Sequence, residues 1–165
     1  MKHRLLLIAV VAAWLVGLPC AANAQKLVIV IRHAERADAG MAAQATDPLL
    51  SVAGTARAAR LVSVLGDAGI RAIYVTQYRR TQDTAKPLAA KLNIRVEQTP
   101  PSNEALVRQL RSRHANDVVL MVGHTNTIPA IIRALGGPDV TLADNEFDSI
   151  FIIAPASKAM TRIHY

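Results

Sequence analysis

The chain has 165 residues, the length of a single domain, and its 19 basic against 12 acidic side chains give a net charge of +7. This charge suits an anionic partner, either nucleic acid or a phosphate-bearing substrate. Nucleic acid is disfavoured, because no basic run is interleaved with aromatic residues. The only cysteine is Cys20, so the chain beyond it has no cysteine nucleophile, which excludes thiol-dependent phosphatases and proteases.

Residues 1–24 have the features of a secretory signal peptide. Lys2 and Arg4 precede an apolar stretch, and Ala22-Asn23-Ala24 has the small-x-small pattern of a signal-peptidase site. The apolar stretch, about 14 residues, is short for a membrane span of roughly 20. We expect residues 25–165 to form the mature domain, periplasmic or secreted, with no stable membrane association after signal cleavage. The alternative is a retained anchor, which N-terminal sequencing of the exported protein distinguishes.

Apolar runs and helical patterns alternate along the rest of the chain. In chain order, the predicted elements are the strand Leu27–Ile31, the helix Ser51–Leu65, the strand Arg71–Thr76, the helix Arg79–Leu92, the strand Ile94–Glu97, the helix Glu104–Arg113, the strand Asp117–Val122, the helix Thr125–Leu135, and the strands Ser149–Ala154 and Ala159–His164. Pro87 is expected to bend or restart the second helix. This alternation predicts an α/β fold, a three-layer α/β/α domain around a mostly parallel sheet.

Polar clusters follow three of these strands. The first is Arg32-His33-Ala34-Glu35, the second runs over residues 76–81, and the third is Gly123-His124-Thr125-Asn126. The carboxyl ends of parallel strands meet at one edge of a sheet, so we expect the clusters to converge there. Histidine serves as a nucleophile or base near neutral pH, and arginine has a planar set of donors matched to phosphate oxygens. The clusters therefore indicate phosphoryl transfer.

The same segments resemble a known family. Arg32-His33-Ala34 is similar to the Arg-His-Gly/Ala signature of the histidine phosphatase superfamily, whose members include the phosphoglycerate-mutase-like enzymes. TQYRRTQDTA resembles the family's second motif and aligns Arg80 with the phosphate-binding arginine. VGHTNTIPAII resembles the segment with the second catalytic histidine, here His124. The resemblance covers nearly the whole of residues 25–165, with the motifs in the family's order, as expected of a short branch 1 member with the phosphoglycerate-mutase-like fold.

The resemblance implies a mechanism. His33 is the nucleophile and becomes a phosphohistidine, which water then hydrolyses. Arg32, Arg80 and His124 hold the phosphoryl group, and no metal or other cofactor is required. We expect substrate contacts from Arg36, Thr125 and Asn126, although Arg36 could equally be a solvated loop residue. Departures from the family pattern at Gln77-Tyr78, Thr81 and Asp83 bear on substrate preference more than on catalysis.

The proton donor for the leaving group is open at this stage. Glu104 is the first choice, because the mutase-like branch places its acid after the third strand. Glu35, beside the nucleophile in sequence, is the second choice. Glu104 could instead be a glutamate of the first helical turn, where the helix dipole favours a negative charge and Ser102 or Asn103 provides the cap.

These observations predict a secreted phosphomonoesterase with a phosphorylated substrate, which could be a small molecule, a phosphoprotein or an envelope glycan. Mutase activity is disfavoured, because the chain has few segments with which to enclose a site and exclude water. One alternative is a non-catalytic module that binds a phospho-ligand through Arg32, Arg80 and His124. A third reading, a membrane-tethered interaction protein, depends only on an uncleaved N-terminus.

Overall fold

The structure, a computed structural model, describes residues 26–39 and 46–165. The predicted signal peptide and its cleavage site lie outside these residues. Within them no helix is long and apolar enough to cross a membrane. In chain order the elements are β1 (Leu27–Arg32), α1 (Val52–Leu65), β2 (Ile70–Val75), α2 (Arg79–Leu92), β3 (Val96–Gln98), α3 (Asn103–Arg113), β4 (Val118–Gly123), α4 (Ile128–Ala134), β5 (Ser149–Ala154) and β6 (Ala159–His164).

The strands form one mixed sheet in the order β3-β2-β4-β1-β5-β6. The first four of these are parallel, whereas β5 is antiparallel to β1 and β6 is antiparallel to β5. In the register, Ile31 of β1 and Val75 of β2 both lie beside Val122 of β4. The carboxyl ends of β1, β2 and β4 are therefore level with one another, and the residues that follow them lie along one edge.

Apolar side chains cover both faces of the sheet, as the alternation of strands and helices predicts. One core packs sheet residues against α1 and α2, through side chains such as Leu61 and Leu88. The opposite core packs the sheet against α3 and α4, through side chains such as Leu110 and Ile132. All six residues of β4 are buried, as expected for a strand covered on both sides. The α/β class and its mostly parallel sheet are confirmed.

Most predicted bounds lie within one residue of those observed, and three local features differ more clearly. The third strand lies slightly later than predicted, at Val96–Gln98. The fourth helix begins at Ile128 rather than Thr125, because the Thr127 hydroxyl accepts the N–H of His124 at 3.0 Å and residues 125–127 form a turn. The second helix runs continuously through Pro87, so it does not restart there. Its buried face, including Thr84, Ala85 and Leu88, holds it against the sheet and outweighs the hydrogen bond that proline lacks.

The start of α1 fixes the chain just after β1. The N–H of Ser51 donates to the Glu35 carbonyl at 2.9 Å, and the Ser51 hydroxyl caps the helix by accepting the N–H of Gly54. A Cβ atom at Gly54 would collide with the Glu35 carbonyl oxygen. Glycine is therefore required by the close approach of α1 to the segment that follows His33.

Candidate active site

The three polar clusters meet in one open cavity of about 910 Å³ at the carboxyl edge of the sheet. Arg32 and His33 follow β1, Arg80 lies in the first turn of α2, and His124 follows β4. All four line the cavity. The convergence expected from a parallel sheet is thus present, and its cause is the common register of β1, β2 and β4. Arg36, Thr125 and Asn126 line the same cavity.

His33 is held in one tautomer. Its Nδ1 lies 2.8 Å from the carbonyl oxygen of Ala34, which can only accept, so Nδ1 carries the proton and Nε2 keeps its lone pair. The backbone is fixed as well, because the N–H of His33 donates to Gly123 and that of Ala34 donates to Thr84 Oγ1. The residue as a whole is 4% exposed. This geometry leaves Nε2 as the nucleophilic atom.

Burial lowers the pKa of His33 to about 3, against an opposing effect of the hydrogen bond to Ala34. The charges of His124 and Arg32, and then of Arg80, lower it further. An imidazole must be neutral to attack phosphorus, and this environment keeps His33 neutral throughout the physiological range of pH.

Arg32 joins the site to the loop before β5. Its Nη1 donates to the backbone carbonyls of Ala143, Asp144 and Glu146, at 3.2, 2.8 and 3.1 Å. Its guanidinium lies 4.0 Å from the centre of the Phe147 ring, and that ring is also 6.2 Å from the His33 ring. The loop over residues 138–148 therefore frames the site.

Arg80 has a comparable arrangement on the other side of the cavity. Its guanidinium lies 4.2 Å from the centre of the Tyr78 ring, which also meets the ring of His124 edge-on at 5.4 Å. Its Nη1 is 3.7 Å from a carboxylate oxygen of Asp47. Burial lowers the pKa of Arg80, but an arginine remains charged at any physiological pH.

His124 lies beside the nucleophile, with 5.2 Å between the two ring centres. Its Nε2 is 2.9 Å from Thr76 Oγ1, which is in turn 3.0 Å from Thr81 Oγ1. If the Thr76 hydroxyl donates to Nε2, then Nδ1 carries a proton that it can donate to an anion. Burial, followed by the charges of Arg80 and Arg32, lowers the pKa of His124 to about 4.

Two buried donors of the site lack a protein acceptor. Within the described part of the chain, the Nε atoms of Arg32 and Arg80 are buried and make no hydrogen bond. A buried N–H without an acceptor is costly, by about 1–3 kcal/mol. An oxyanion in the cavity would supply acceptors at the same end as the nucleophile, which is the arrangement that phosphoryl transfer requires.

Neither candidate proton donor lines the cavity. Glu35 is turned toward α1, where it accepts from Arg57 Nη2 at 2.7 Å and from Arg57 Nε at 2.9 Å. Glu104 is exposed in the first turn of α3, whose cap is Ser102, and the neighbouring Asn103 lines the cavity instead. The first-turn arrangement considered for Glu104 is therefore the one found.

Sequence reasoning assigned no role to several supporting residues. Thr84 bridges the site by accepting the N–H of Ala34 and donating to the Arg80 carbonyl at 2.7 Å. Thr76 supports His124, and its place at the end of β2 was the available signal. Phe147 had no comparable signal, because it reaches Arg32 from a loop far along the chain. Among the described residues, no group of three or more His, Cys, Asp or Glu side chains could hold a metal ion.

Comparison with known proteins identifies the family. A model described as the histidine phosphatase superfamily (branch 1) matches residues 28–105, which include β1, α1, β2, α2, β3 and the first turn of α3. The chain belongs to this superfamily and is a short, phosphoglycerate-mutase-like member of its branch 1. Its class of activity is that of the phosphoric monoester hydrolases. A comparison with curated proteins gave no match.

Solved structures share the fold. A mycobacterial glucosyl-3-phosphoglycerate phosphatase in complex with VO3 is 17% identical, with a TM-score of 0.64 over 85% of this chain and 98% of that one. The protein histidine phosphatase SixA in complex with tungstate is 19% identical, with a TM-score of 0.60 over 83% and 94% of the two chains. A phosphoserine phosphatase mutant from Entamoeba histolytica is 14% identical, with a TM-score of 0.61 over 83% and 94%.

Proposed function

We propose that this protein hydrolyses phosphomonoesters through a phosphohistidine formed on His33. The observation that carries the proposal is the juxtaposition of a neutral imidazole, with Nε2 unprotonated, and two arginines. Each arginine presents a buried N–H that has no acceptor among the described residues. Two structurally similar proteins were solved with VO3 or tungstate, oxyanions that resemble phosphate, which supports an anion site in this fold.

In the first step, the lone pair of His33 Nε2 attacks phosphorus and the bond to the leaving group breaks. Arg32 and Arg80 stabilise the negative charge of the phosphoryl oxygens, and a proton on His124 Nδ1 can serve the same purpose. The hydrogen bond from Nδ1 of His33 to Ala34 keeps the ring oriented and stabilises the charge that the ring acquires.

In the second step, water attacks the phosphorus of the phosphohistidine. The bond from phosphorus to Nε2 breaks, the imidazole recovers its lone pair, and inorganic phosphate leaves. Among the described residues the cavity is open to solvent, so water can reach the intermediate. This favours hydrolysis over a mutase reaction, which must protect the phosphoenzyme from water.

We expect the purified protein to hydrolyse p-nitrophenyl phosphate in excess chelator, because protein cations alone neutralise the phosphoryl group. Rapid quenching and peptide mass spectrometry should find a phosphoryl group on the peptide that contains His33. If the protein binds orthovanadate but never becomes phosphorylated, it is the non-catalytic binding module considered above. Loss of turnover in chelator would contradict the proposed chemistry.

We also propose export, because residues 1–24 have a basic start, an apolar stretch and a small-x-small site. N-terminal sequencing of the protein recovered outside the cytoplasm is expected to begin at Gln25. A sequence that begins at the original N-terminus would instead indicate a retained anchor. The substrates that an exported enzyme could meet include phosphorylated small molecules, phosphoproteins and envelope glycans.

A further inference from the structure

Three carboxylates near the site are paired with arginine side chains or a backbone N–H, and a fourth, Glu104, is exposed. All 12 acidic residues of the chain lie within the described part, and none of them lines the cavity. Glu35 is held by Arg57, and Asp38 pairs with Arg36 at 2.9 Å. Asp47 accepts the backbone N–H of Arg79 and lies near Arg80. Glu104 is exposed beside its helix cap.

The two acids that sequence suggested as proton donors are also in the wrong protonation state. Burial raises the pKa of Glu35, but hydrogen bonds from Arg57 outweigh this, so its pKa is lowered overall. The pKa of Glu104 is lowered by hydrogen bonds from its own backbone N–H and from the Ser102 hydroxyl. Both carboxyl groups are ionised near neutral pH and hold no proton to donate.

Some of the residues that line the cavity have flat or amide side chains. Val75 of β2 pairs with Gln98 of β3, so the residues that follow these strands lie side by side. They place the Tyr78 ring and the Pro100-Pro101 pair along the cavity. Asn103 and Asn126, whose side chains are amides, line it as well. Flat apolar groups suit an aromatic ring, and amides suit the peptide groups that would surround a ring in a polypeptide.

We propose that the site acts on phosphoryl groups attached to a planar ring that departs without a proton from the protein. The shared chemistry is a phosphorylated aromatic side chain of a polypeptide, either the phenolic ester of tyrosine or the phosphoramidate of histidine. This rests on the proposed function and narrows its substrate class. It also makes alkyl phosphates, such as sugar phosphates, poor substrates.

The step balances without a protein acid. His33 Nε2 forms a bond to phosphorus as the bond from phosphorus to the ring oxygen or nitrogen breaks and the electron pair stays with the ring. A phenolate leaves as an anion and takes its proton from solvent. An imidazole already protonated on its other nitrogen leaves as a neutral molecule. An alkoxide is far more basic than either, and it requires a donor at the moment of cleavage.

The test compares leaving groups. We measure kcat/KM for p-nitrophenyl phosphate, phenyl phosphate and glycerol 2-phosphate. We also measure it for two peptides, one phosphorylated on tyrosine and the other on histidine. A general acid contributes typically 10²–10⁴-fold, so in its absence glycerol 2-phosphate should be slower than p-nitrophenyl phosphate by at least about 100-fold. The two peptides separate the two sources of a ring. The peptide with the higher kcat/KM identifies the preferred side chain. If neither peptide has a higher kcat/KM than glycerol 2-phosphate, the proposal is overturned.

Glu104→Gln is the decisive variant, because this exposed side chain can be changed without disturbing the core. We expect its kcat/KM to stay within about twofold of wild type on every substrate, since no general-acid contribution is lost. A loss of about 100-fold on glycerol 2-phosphate, with p-nitrophenyl phosphate unchanged, would identify Glu104 as the acid and overturn the proposal. Glu35→Gln, checked for an unchanged melting temperature, applies the same criterion to the second candidate.

Tyr78 variants test the contact with the ring. Tyr78→Phe should keep the preference for phenyl phosphate over glycerol 2-phosphate, whereas Tyr78→Ala should reduce it. An equal loss on both substrates would mean that Tyr78 serves only Arg80 and His124, and this would contradict the ring contact. Failure of the proposed function can be distinguished from failure of this proposal. If the proposed function is wrong, no substrate will leave a phosphoryl group on His33.

Discussion

Replacing His33 by alanine is expected to lower kcat/KM for p-nitrophenyl phosphate by at least about 10⁴-fold, because removal of a nucleophile removes the covalent route altogether. The phosphoryl group on the peptide that contains residue 33 should disappear as well. Binding of orthovanadate should persist, since Arg32, Arg80 and His124 remain in place. The measurements are steady-state kinetics, peptide mass spectrometry after a quench, and isothermal titration with orthovanadate.

His164→Gln is the matched control for the loss of a histidine. His164 is half exposed, pairs with Asp148 at 3.2 Å and does not line the cavity, so its replacement should leave turnover unchanged. A His33→Ala protein that kept more than about a tenth of the wild-type rate would contradict the assignment of His33 as the nucleophile.

The pH dependence gives a second readout of the same residue. Burial and the neighbouring positive charges hold the pKa of His33 at about 3, so the nucleophile loses activity only as the pH falls toward that value. The substrate's own second ionisation, near pH 6, must be subtracted from the profile. The corrected kcat/KM should then be level from pH 8 to about 5, and an acidic limb at the ordinary histidine pKa near 6.5 would contradict this environment.

Replacing Arg80 by alanine is expected to lower kcat/KM by about 10²–10³-fold, the usual loss when a donor to the transition-state oxyanion is removed. Its affinity for orthovanadate should fall as well, because the buried Nε of Arg80 makes no hydrogen bond within the described residues and is available to the anion. Arg80→Lys should recover only part of the rate, since lysine keeps the charge but lacks the planar set of donors.

Arg79→Ala is the control for this prediction. Arg79 precedes Arg80, its side chain is exposed, and its contact with Asp47 is made by the backbone N–H, which alanine retains. Its kcat/KM should therefore match that of the wild type. Equal losses in Arg79→Ala and Arg80→Ala would mean that net positive charge, rather than contact with the phosphoryl group, governs the rate, and this would contradict the role of Arg80.

Much of the site follows from the sequence alone. The apolar runs before Arg32-His33, Thr76 and His124 are read directly as strands, and alternation with helices makes these strands parallel. Parallel strands end at one edge, so two histidines and Arg80 had to converge there. The motifs also predict the family, and the match of the family model over residues 28–105 confirms this prediction.

The tertiary structure alone decided what each charged side chain does there. Glu35 lies two residues after the nucleophile, yet it faces Arg57, 22 residues away, because α1 packs at Gly54 directly against the Glu35 backbone. Arg32 is held by loop carbonyls more than 100 residues away, at Ala143 and Asp144. Sequence patterns report burial and periodicity, whereas ion pairs and loop contacts depend on the packing of distant segments. The convergence of the histidines was therefore predictable, and the absence of a carboxylate from the cavity was not.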